Sequence, residues 1–148
     1  GVLQHGVDFY FDNDDLEKGN IQFGHIDLLL HMGFARPHKS NQEIAESLKF
    51  TNKIFTRAVM NHVPAVINIS SQSVYGLESE PPWSEENSVH PSTPYAQAKY
   101  ATELFLESLK SINNQLCCTS IRLGSLAGGV DGVVETDLLS KMTRKALQ

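Results

Sequence analysis

The chain has 148 residues and a mass of 16.4 kDa, which is enough for one domain and too little for two of ordinary size. Hydrophobic residues make up 41% and charged residues 20% of the chain, a mixture that excludes a disordered or collagen-like protein. With 17 acidic and 12 basic residues the net charge is −5, which argues against nucleic acid as a partner.

The amino-terminal part of the chain gives weak signals at first and then a clear strand. Val7–Phe11 is a candidate strand, and Asp12–Gly19 is acidic and turn-like. Ile26–Met32 (IDLLLHM) is a nearly continuous apolar run, which predicts a strand buried on both faces. This longest apolar stretch is far short of the roughly 18 residues that a membrane span needs, so we expect no membrane partner. Gly1–Phe11 also lacks the features of a signal peptide, which predicts a cytoplasmic location.

A helix and a second strand are predicted next. Ser40–Glu43 reads S-N-Q-E, which is a capping box at a helix start. Apolar residues then recur at helical spacing on one stripe that ends before Pro64. The stripe consists of Ile44, Leu48, Phe55, Val59 and His62. Ala65–Ile69 (AVINI) predicts a short strand that is closed by Ser70–Gly76.

The second half of the chain repeats this order after a long loop. Leu77–Pro94 is rich in Pro, Ser, Glu and Asn, and loops of this length are usually functional or disordered. Thr93-Pro94 predicts a helix start with proline at the first helical position. The apolar stripe of this helix consists of Ala101, Phe105, Leu109 and Ile112. Leu116–Leu123 predicts a third strand, and Leu138–Leu147 predicts the start of another helix.

The alternation of strands and helices predicts an α/β fold with a doubly wound parallel sheet, of which residues 1–148 form an incomplete domain. Right-handed crossovers are expected to place helices on both faces. Ligands of such sheets bind beyond the carboxyl ends of the strands, where this sequence has small or polar residues.

Cysteine and histidine usage predicts neither a disulfide nor a metal site. Cys117 and Cys118 are adjacent, which favours two buried thiols in a reducing compartment. The six histidines contain no pair at helical ligand spacing, and there is no CxxC motif.

The predicted helix that follows the long loop opens with a tyrosine and a lysine that can act together. Tyr95 and Lys99 are four residues apart and therefore share a helix face. A nearby ammonium would favour the phenolate, and a shift of roughly three pKa units needs about 4 kcal/mol. Tyr95 could then remove a hydroxyl proton, and the Ser71 hydroxyl could hold the same oxygen. The structural alternatives are a half-buried helix-start aromatic, a solvated lysine and an ordinary serine turn.

Three stretches together resemble the extended short-chain dehydrogenase/reductases. They are Ile69–Gly76 (ISSQSVYG), Pro91–Lys99 (PSTPYAQAK) with Glu103 after it, and Asp27–Ala35 (DLLLHMGFA). That family includes NAD-dependent epimerases and dehydratases of nucleotide sugars. The resemblance covers roughly residues 27–129 and implies a Rossmann-like domain, reversible hydride transfer and a small-molecule substrate, a nucleotide sugar.

The resemblance also implies the roles of individual residues. Ser71, Tyr95 and Lys99 would be the catalytic triad, and Lys99 would also bind the nicotinamide ribose. The implied cofactor is NAD, with NADP as the alternative. The residues implied to contact it are Met32, Gly33, Phe34, Ser70, Tyr95, Lys99, Leu123 and Gly124.

The chain departs from the family pattern at several places. No G-x-x-G-x-x-G turn for the pyrophosphate is found, and the chain ends where a substrate lobe would begin, so we expect a fragment that binds NAD weakly or not at all. Gln72-Ser73 replaces the Asp-Glu pair of the 4,6-dehydratases, which argues against dehydration.

The alternative function is a catalytically inactive nucleotide-binding or structural remnant. A redox-sensing regulator is disfavoured because such relatives usually lose YxxxK. The oligomeric state is not given by the sequence, and a homodimer is one candidate.

Overall fold

The computed structural model describes residues 9–78, 81–125 and 145. Three strands alternate with three α-helices, and short 3₁₀ turns follow three of the elements. In chain order the elements are α1 (Asn13–Lys18), β1 (Leu28–His31), α2 (Asn41–Met60), β2 (Ala65–Ser71), α3 (Pro94–Ser108) and β3 (Cys117–Leu123). The predicted order of strands and long helices is therefore confirmed for these residues.

The three strands form one parallel sheet in the order β1-β2-β3. Leu29 of β1 is level with Val66 of β2, which is level with Cys118 of β3. Helix α2 connects the first pair of strands and α3 the second, as the predicted α/β fold requires. Because the strands are parallel, all three carboxyl ends meet at one edge of the sheet.

Both long helices lie on the same face of the sheet, so the prediction of helices on both faces is wrong for the described residues. Phe55 and Val59 of α2 and Leu106 of α3 pack with Val66 of β2 in one core cluster, and α2 contacts α3 directly. The two connections run in the same direction across the sheet, and right-handed crossovers then place both helices on one side.

The opposite face of the sheet is open among the described residues. Leu28 and Leu30 are 48% and 50% exposed, and Ile121 of β3 is 40% exposed. In contrast, Val66 and Asn68 of β2, whose side chains lie on the helix face of the sheet, are 0% exposed. The prediction that the first strand is buried on both faces is therefore wrong, because only its helix side is covered.

The helix starts follow their predicted signals. Ser40 caps α2 and forms a reciprocal capping box with Glu43, and Thr93 caps α3 ahead of Pro94. His62 lies beyond the end of α2, is exposed and has a φ of 60°, so it does not belong to the buried stripe.

The buried face of α3 differs from the predicted stripe. Ile112 is 64% exposed, whereas two polar residues, Lys99 and Thr102, are buried. The hydrophobic pattern missed this face because polar side chains form part of it. The buried residues of α3 are Ala96, Ala98, Lys99, Thr102 and Leu106.

The amino-terminal region corrects three further expectations. Residues predicted to be turn-like form α1, whose start is a capping box between Asp12 and Asp15. Residues 9–11 form no strand, and the rest of that predicted strand lies outside the described residues, as does the predicted helix Leu138–Leu147 apart from residue 145. Cys117 is exposed rather than buried, and Cys118 is half-buried; both thiols are free.

No helix in the described part of the chain is long and apolar enough to cross a membrane.

Candidate active site

The carboxyl edge of the sheet brings the predicted catalytic residues together. Ser71 ends β2 and is level with Leu123 at the end of β3. Tyr95 is the second residue of α3. The helix begins beside this edge, and Thr93 caps its first turn. Lys99 follows one helical turn later on the same face, since residues four apart lie above one another. Serine, tyrosine and lysine thus meet at the sheet edge.

Tyr95 is half-buried, and burial raises the pKa of its hydroxyl above the usual value of 10.0. A hydrogen bond from Ser71 acts in the opposite direction and favours the phenolate. The Ser71 Oγ accepts hydrogen bonds from the Ser73 amide at 3.2 Å and the Ser73 hydroxyl at 2.9 Å. Because Ser71 is an acceptor in both contacts, its own proton is available for the Tyr95 oxygen or for a substrate oxygen.

Lys99 is 3% exposed, so it is not the solvated lysine of the structural alternative. Its Nζ donates a hydrogen bond of 2.7 Å to the carbonyl oxygen of Ile69 and lies 4.4 Å from the centroid of the Phe34 ring. Burial is the main reason that its pKa is lowered from 10.5 to about 8, and the negative charge of Glu103 opposes that shift.

The expectation that Lys99 lowers the pKa of Tyr95 is wrong for this structure. Burial dominates, and the pKa of Tyr95 is raised. The Lys99 ammonium bonds the Ile69 carbonyl, and the Phe34 ring contacts both the ammonium and the Tyr95 ring, whose centroid is 6.1 Å from that of Phe34. Tyrosine and lysine share one helix face, but an aromatic side chain stands beside both.

The residues predicted to contact a cofactor occupy different environments. Met32 is 67% exposed at the end of β1, and a Cβ built on Gly33 would meet nothing within 4 Å. Gly124 is tighter, because a Cβ there would lie 3.2 Å from the Gln72 Oε1. Ser70 is not brought to the open edge, since it is 4% exposed and its hydroxyl donates to Glu103 on the helix side. The open backbone after β1 therefore leaves room for an extended cofactor, whereas the Ser70 side chain faces away from that edge.

A charged cluster beside the predicted catalytic residues joins α3 to β3. The Arg122 guanidinium contacts both Glu103 oxygens, with Nη2 to Oε2 at 2.8 Å, and Nη1 donates to the Tyr75 hydroxyl at 3.1 Å. The Tyr75 ring stacks on Trp83 with centroids 5.8 Å apart. These side chains line a cleft of about 560 Å³ that runs along β3, beside the turn that follows β2.

The sequence motifs do not identify Arg122 and Tyr75 as parts of the site. A usable signal was present, since a single charged residue in a predicted strand needs a partner of opposite charge, and Glu103 lies one turn after Lys99. Gly76, which closes the serine-rich turn, has a φ of 77°, and a Cβ there would lie 2.0 Å from the His90 carbonyl oxygen. Glycine is therefore required where the long loop returns to the site.

His31, a neighbour of Lys99, is a second buried polar residue. His31 is 4% exposed, its Nε2 is 3.3 Å from the Thr51 Oγ1, and burial, with a smaller effect of Lys99, lowers its pKa from 6.5 to about 4. The Asn68 amide donates to Thr102 and Ser120 and so ties β2 to α3 and β3. His31 is thus a neutral core residue near pH 7. Among the described residues, no three His, Cys, Asp or Glu side chains are grouped so that they could hold a metal ion.

A protein-family model matches most of the chain. The family model described as "NAD dependent epimerase/dehydratase family" matches residues 10–148. No curated relative matches the chain.

Several solved structures share the fold. A UDP-N-acetylglucosamine 4-epimerase from Bacillus cereus is 22% identical with a TM-score of 0.64, over 76% of this chain and 39% of that one. A UDP-N-acetylglucosamine 4-epimerase from Methanobrevibacter ruminantium M1, in complex with UDP-N-acetylmuramic acid, is 26% identical with a TM-score of 0.60, over 73% and 37%. A UDP-glucuronic acid 4-epimerase from Bacillus cereus in complex with NAD is 23% identical with a TM-score of 0.62, over 74% and 35%. The chain therefore spans less than half the length of these structures.

Proposed function

The chain belongs to the NAD-dependent epimerase/dehydratase family, and from this premise we propose that it carries the catalytic centre of an NAD-dependent nucleotide-sugar epimerase that works by reversible hydride transfer. The observation that carries the proposal is the meeting of Ser71, Tyr95 and Lys99 at the carboxyl edge of the sheet. The complexes of similar structures with NAD and with a UDP-sugar derivative support this choice of cofactor and substrate class.

In the proposed reaction, Tyr95 is the acid and base at the substrate hydroxyl. The Ser71 hydroxyl donates to the same oxygen and holds it against Tyr95. NAD, when bound, would supply the hydride acceptor and a positive charge that favours the Tyr95 phenolate. Lys99, on the same helix face, would bind the ribose. The residues that would line the cofactor are Met32, Gly33, Leu123 and Gly124, with Phe34 at the same strand end as Gly33.

Epimerisation is favoured over dehydration as the outcome of the reaction. A dehydratase needs a second acid and base pair next to the serine, and this chain has Gln72 and Ser73 there. The Gln72 amide lines the cleft together with Gly124, so it is a neutral group toward a bound substrate. A cytoplasmic location and a homodimer stay predictions.

The test of the proposed function is a comparison of two tyrosine variants in the protein that contains this chain. We expect Tyr95→Phe to lower kcat with NAD and a UDP-sugar by about 10²–10⁴-fold, because the acid and base group is lost while the ring is kept. Tyr100→Phe on the same helix is the matched control and should leave kcat unchanged. Unfolding midpoints measured alongside should agree for all three proteins.

Two outcomes would contradict the proposal in different ways. Near-normal turnover of Tyr95→Phe would show that this tyrosine is structural. Absence of both NAD binding and turnover in the unchanged protein would instead favour the inactive remnant.

A further inference from the structure

Phe34 stands between the two groups that the proposed reaction uses. It follows β1 at the carboxyl edge, and its ring is half-buried. The ring lies edge-to-face with Tyr95, at 6.1 Å between centroids and 74° between planes. Its face covers the Lys99 Nζ at 4.4 Å from the centroid, within the range of a cation–π contact.

The Lys99 ammonium is enclosed by this ring and by the backbone of β2. One of its three donors is taken by the Ile69 carbonyl oxygen at 2.7 Å, and the residue as a whole is 3% exposed. The titratable and charged groups around it are Tyr95 and Glu103 on its own helix, His31 on β1 and, behind Glu103, Arg122 on β3. A ligand hydroxyl can reach an ammonium that is 3% exposed only if a neighbouring side chain moves, and the half-buried Phe34 ring is a side chain in direct contact with it.

On the basis of the function proposed above, we propose that Phe34 is a shield over Lys99 that the nicotinamide ribose of the cofactor must displace, so that this side chain sets the affinity for NAD. A ribose hydroxyl can accept a hydrogen bond from Lys99 only where the ring now lies. The ring contributes favourable contacts to the protein without cofactor, and these contacts are lost on binding. Removal of the ring therefore strengthens cofactor binding, which is the opposite of what a simple contact residue would show.

The surroundings of Phe34 allow such a movement. Gly33 precedes it, and the space where a Cβ of Gly33 would lie is empty to 4 Å. A groove of about 400 Å³, lined by Phe34 itself and by Ser47 and Phe50 of α2, lies beside the ring. The next residue is fixed, since the Ala35 amide donates to the Ser47 Oγ at 3.0 Å. The Phe34 side chain can thus rotate toward α2 while the backbone after it stays in place.

The first arm of the test follows Lys99 in the chain without any cofactor. Lysine labelled at ¹³Cε is titrated by NMR, and Lys99→Met identifies the resonance. We expect the midpoint of Lys99, about 8 in the unchanged chain, to rise by about one pKa unit in Phe34→Ala, because water reaches the ammonium. Phe34→Leu should give a smaller rise. Phe105→Leu, a half-buried aromatic elsewhere on α3, is the control and should give none. An unchanged or lower midpoint in Phe34→Ala overturns the proposal.

The second arm measures NAD affinity by titration calorimetry on the same variants of the full protein that contains this chain. We expect Phe34→Ala to bind NAD about three- to tenfold more tightly than the unchanged protein, with Phe34→Leu in between. Weaker binding by Phe34→Ala would show that the ring is a cofactor contact and would overturn the shield. If Phe34→Ala fails to fold, Phe34→Leu takes its place: tighter NAD binding and a higher Lys99 midpoint support the proposal, and the opposite changes overturn it. No NAD binding by any protein would refute the proposed function, while the Lys99 titration would still decide whether Phe34 covers the ammonium.

Discussion

Lys99 is the residue at which the proposed function and the stability of the fold are in conflict. Its ammonium is 3% exposed, and burial lowers its pKa from 10.5 to about 8. Between these two values the unfolded chain binds more protons than the folded chain, so the stability rises with pH in this range. Below about pH 8 the folded chain carries the full cost of the buried charge, which is about 3 kcal/mol for a shift of roughly 2.5 pKa units.

We therefore predict that Lys99→Met stabilises the fold at pH 7 while it impairs the proposed activity. The relief of about 3 kcal/mol is reduced by about 1 kcal/mol, because the hydrogen bond to the Ile69 carbonyl is lost, which leaves a gain of about 1–2 kcal/mol. Most of the gain should be gone near pH 10.5, because the lysine of the folded chain is then neutral and no longer pays for burial of a charge. Urea unfolding at pH 7 and at pH 10.5 measures both values.

Lys49→Met on the exposed side of α2 is the matched control for this prediction and should change the free energy of unfolding by less than about 0.5 kcal/mol at either pH. A Lys99→Met chain that is less stable at pH 7 than the unchanged chain would contradict a net cost of the buried ammonium.

At the scale of elements, α3 is the part of the fold that positions the site. Tyr95, Lys99 and Glu103 follow one another at intervals of four and therefore lie along one face of the helix. The first two serve the proposed chemistry, and Glu103 anchors the helix to β3 through Arg122. This pair is largely enclosed, with side chains 9% and 21% exposed. The position of the proposed catalytic residues on the helix thus depends on this ion pair one turn further along α3.

Glu103→Ala should lower the free energy of unfolding by about 3 kcal/mol, because it leaves the Arg122 charge enclosed without its partner. Glu107→Ala on the same helix is the control, since Glu107 is 66% exposed in its pair with Lys110 and should cost less than about 1 kcal/mol. The double variant Glu103→Ala/Arg122→Met should recover part of the loss. Chemical unfolding of the four proteins measures these differences. Equal costs for Glu103→Ala and Glu107→Ala would refute the anchoring role.

At the scale of the whole molecule, the sheet is covered on one side among the described residues. The two rows of side chains on β1 and β2 offer a direct comparison, since Leu30 is 50% exposed on the open face and Val66 is 0% exposed on the helix face. Apolar area that stays in water contributes little to folding, whereas Val66 packs with Phe55 and Leu106 in the core.

Accordingly, Leu30→Thr should change the free energy of unfolding of the 148-residue chain by less than about 0.5 kcal/mol, because threonine keeps the strand preference and no buried contact is lost. It should also reduce binding of an apolar dye. Val66→Thr, the matched control, should cost about 1–3 kcal/mol, since its hydroxyl is buried in the core. Equal costs for the two variants would show that another part of the chain covers the open face.

The sequence by itself determined the local features of this protein. Capping signals at Ser40 and Thr93 predicted both long helices because cap side chains satisfy backbone amides within three residues. Short apolar runs predicted the three strands, and their alternation with helices predicted the parallel sheet. The Tyr95–Lys99 spacing placed both residues on one helix face. Each of these features depends on residues that are close together in the sequence, so the sequence alone is sufficient to predict it.

Only the tertiary structure decided which face of the sheet is covered and in which direction the pKa values of the site residues are shifted. The burial of Lys99, Asn68 and His31 on the helix side is invisible to a hydrophobic pattern, because their partners come from other strands and helices. For the same reason the direction of the Tyr95 pKa could not be predicted from its distance to a lysine in sequence. Burial is a property of the packed molecule, and it outweighs the hydrogen bond from Ser71 in setting the direction of the Tyr95 pKa.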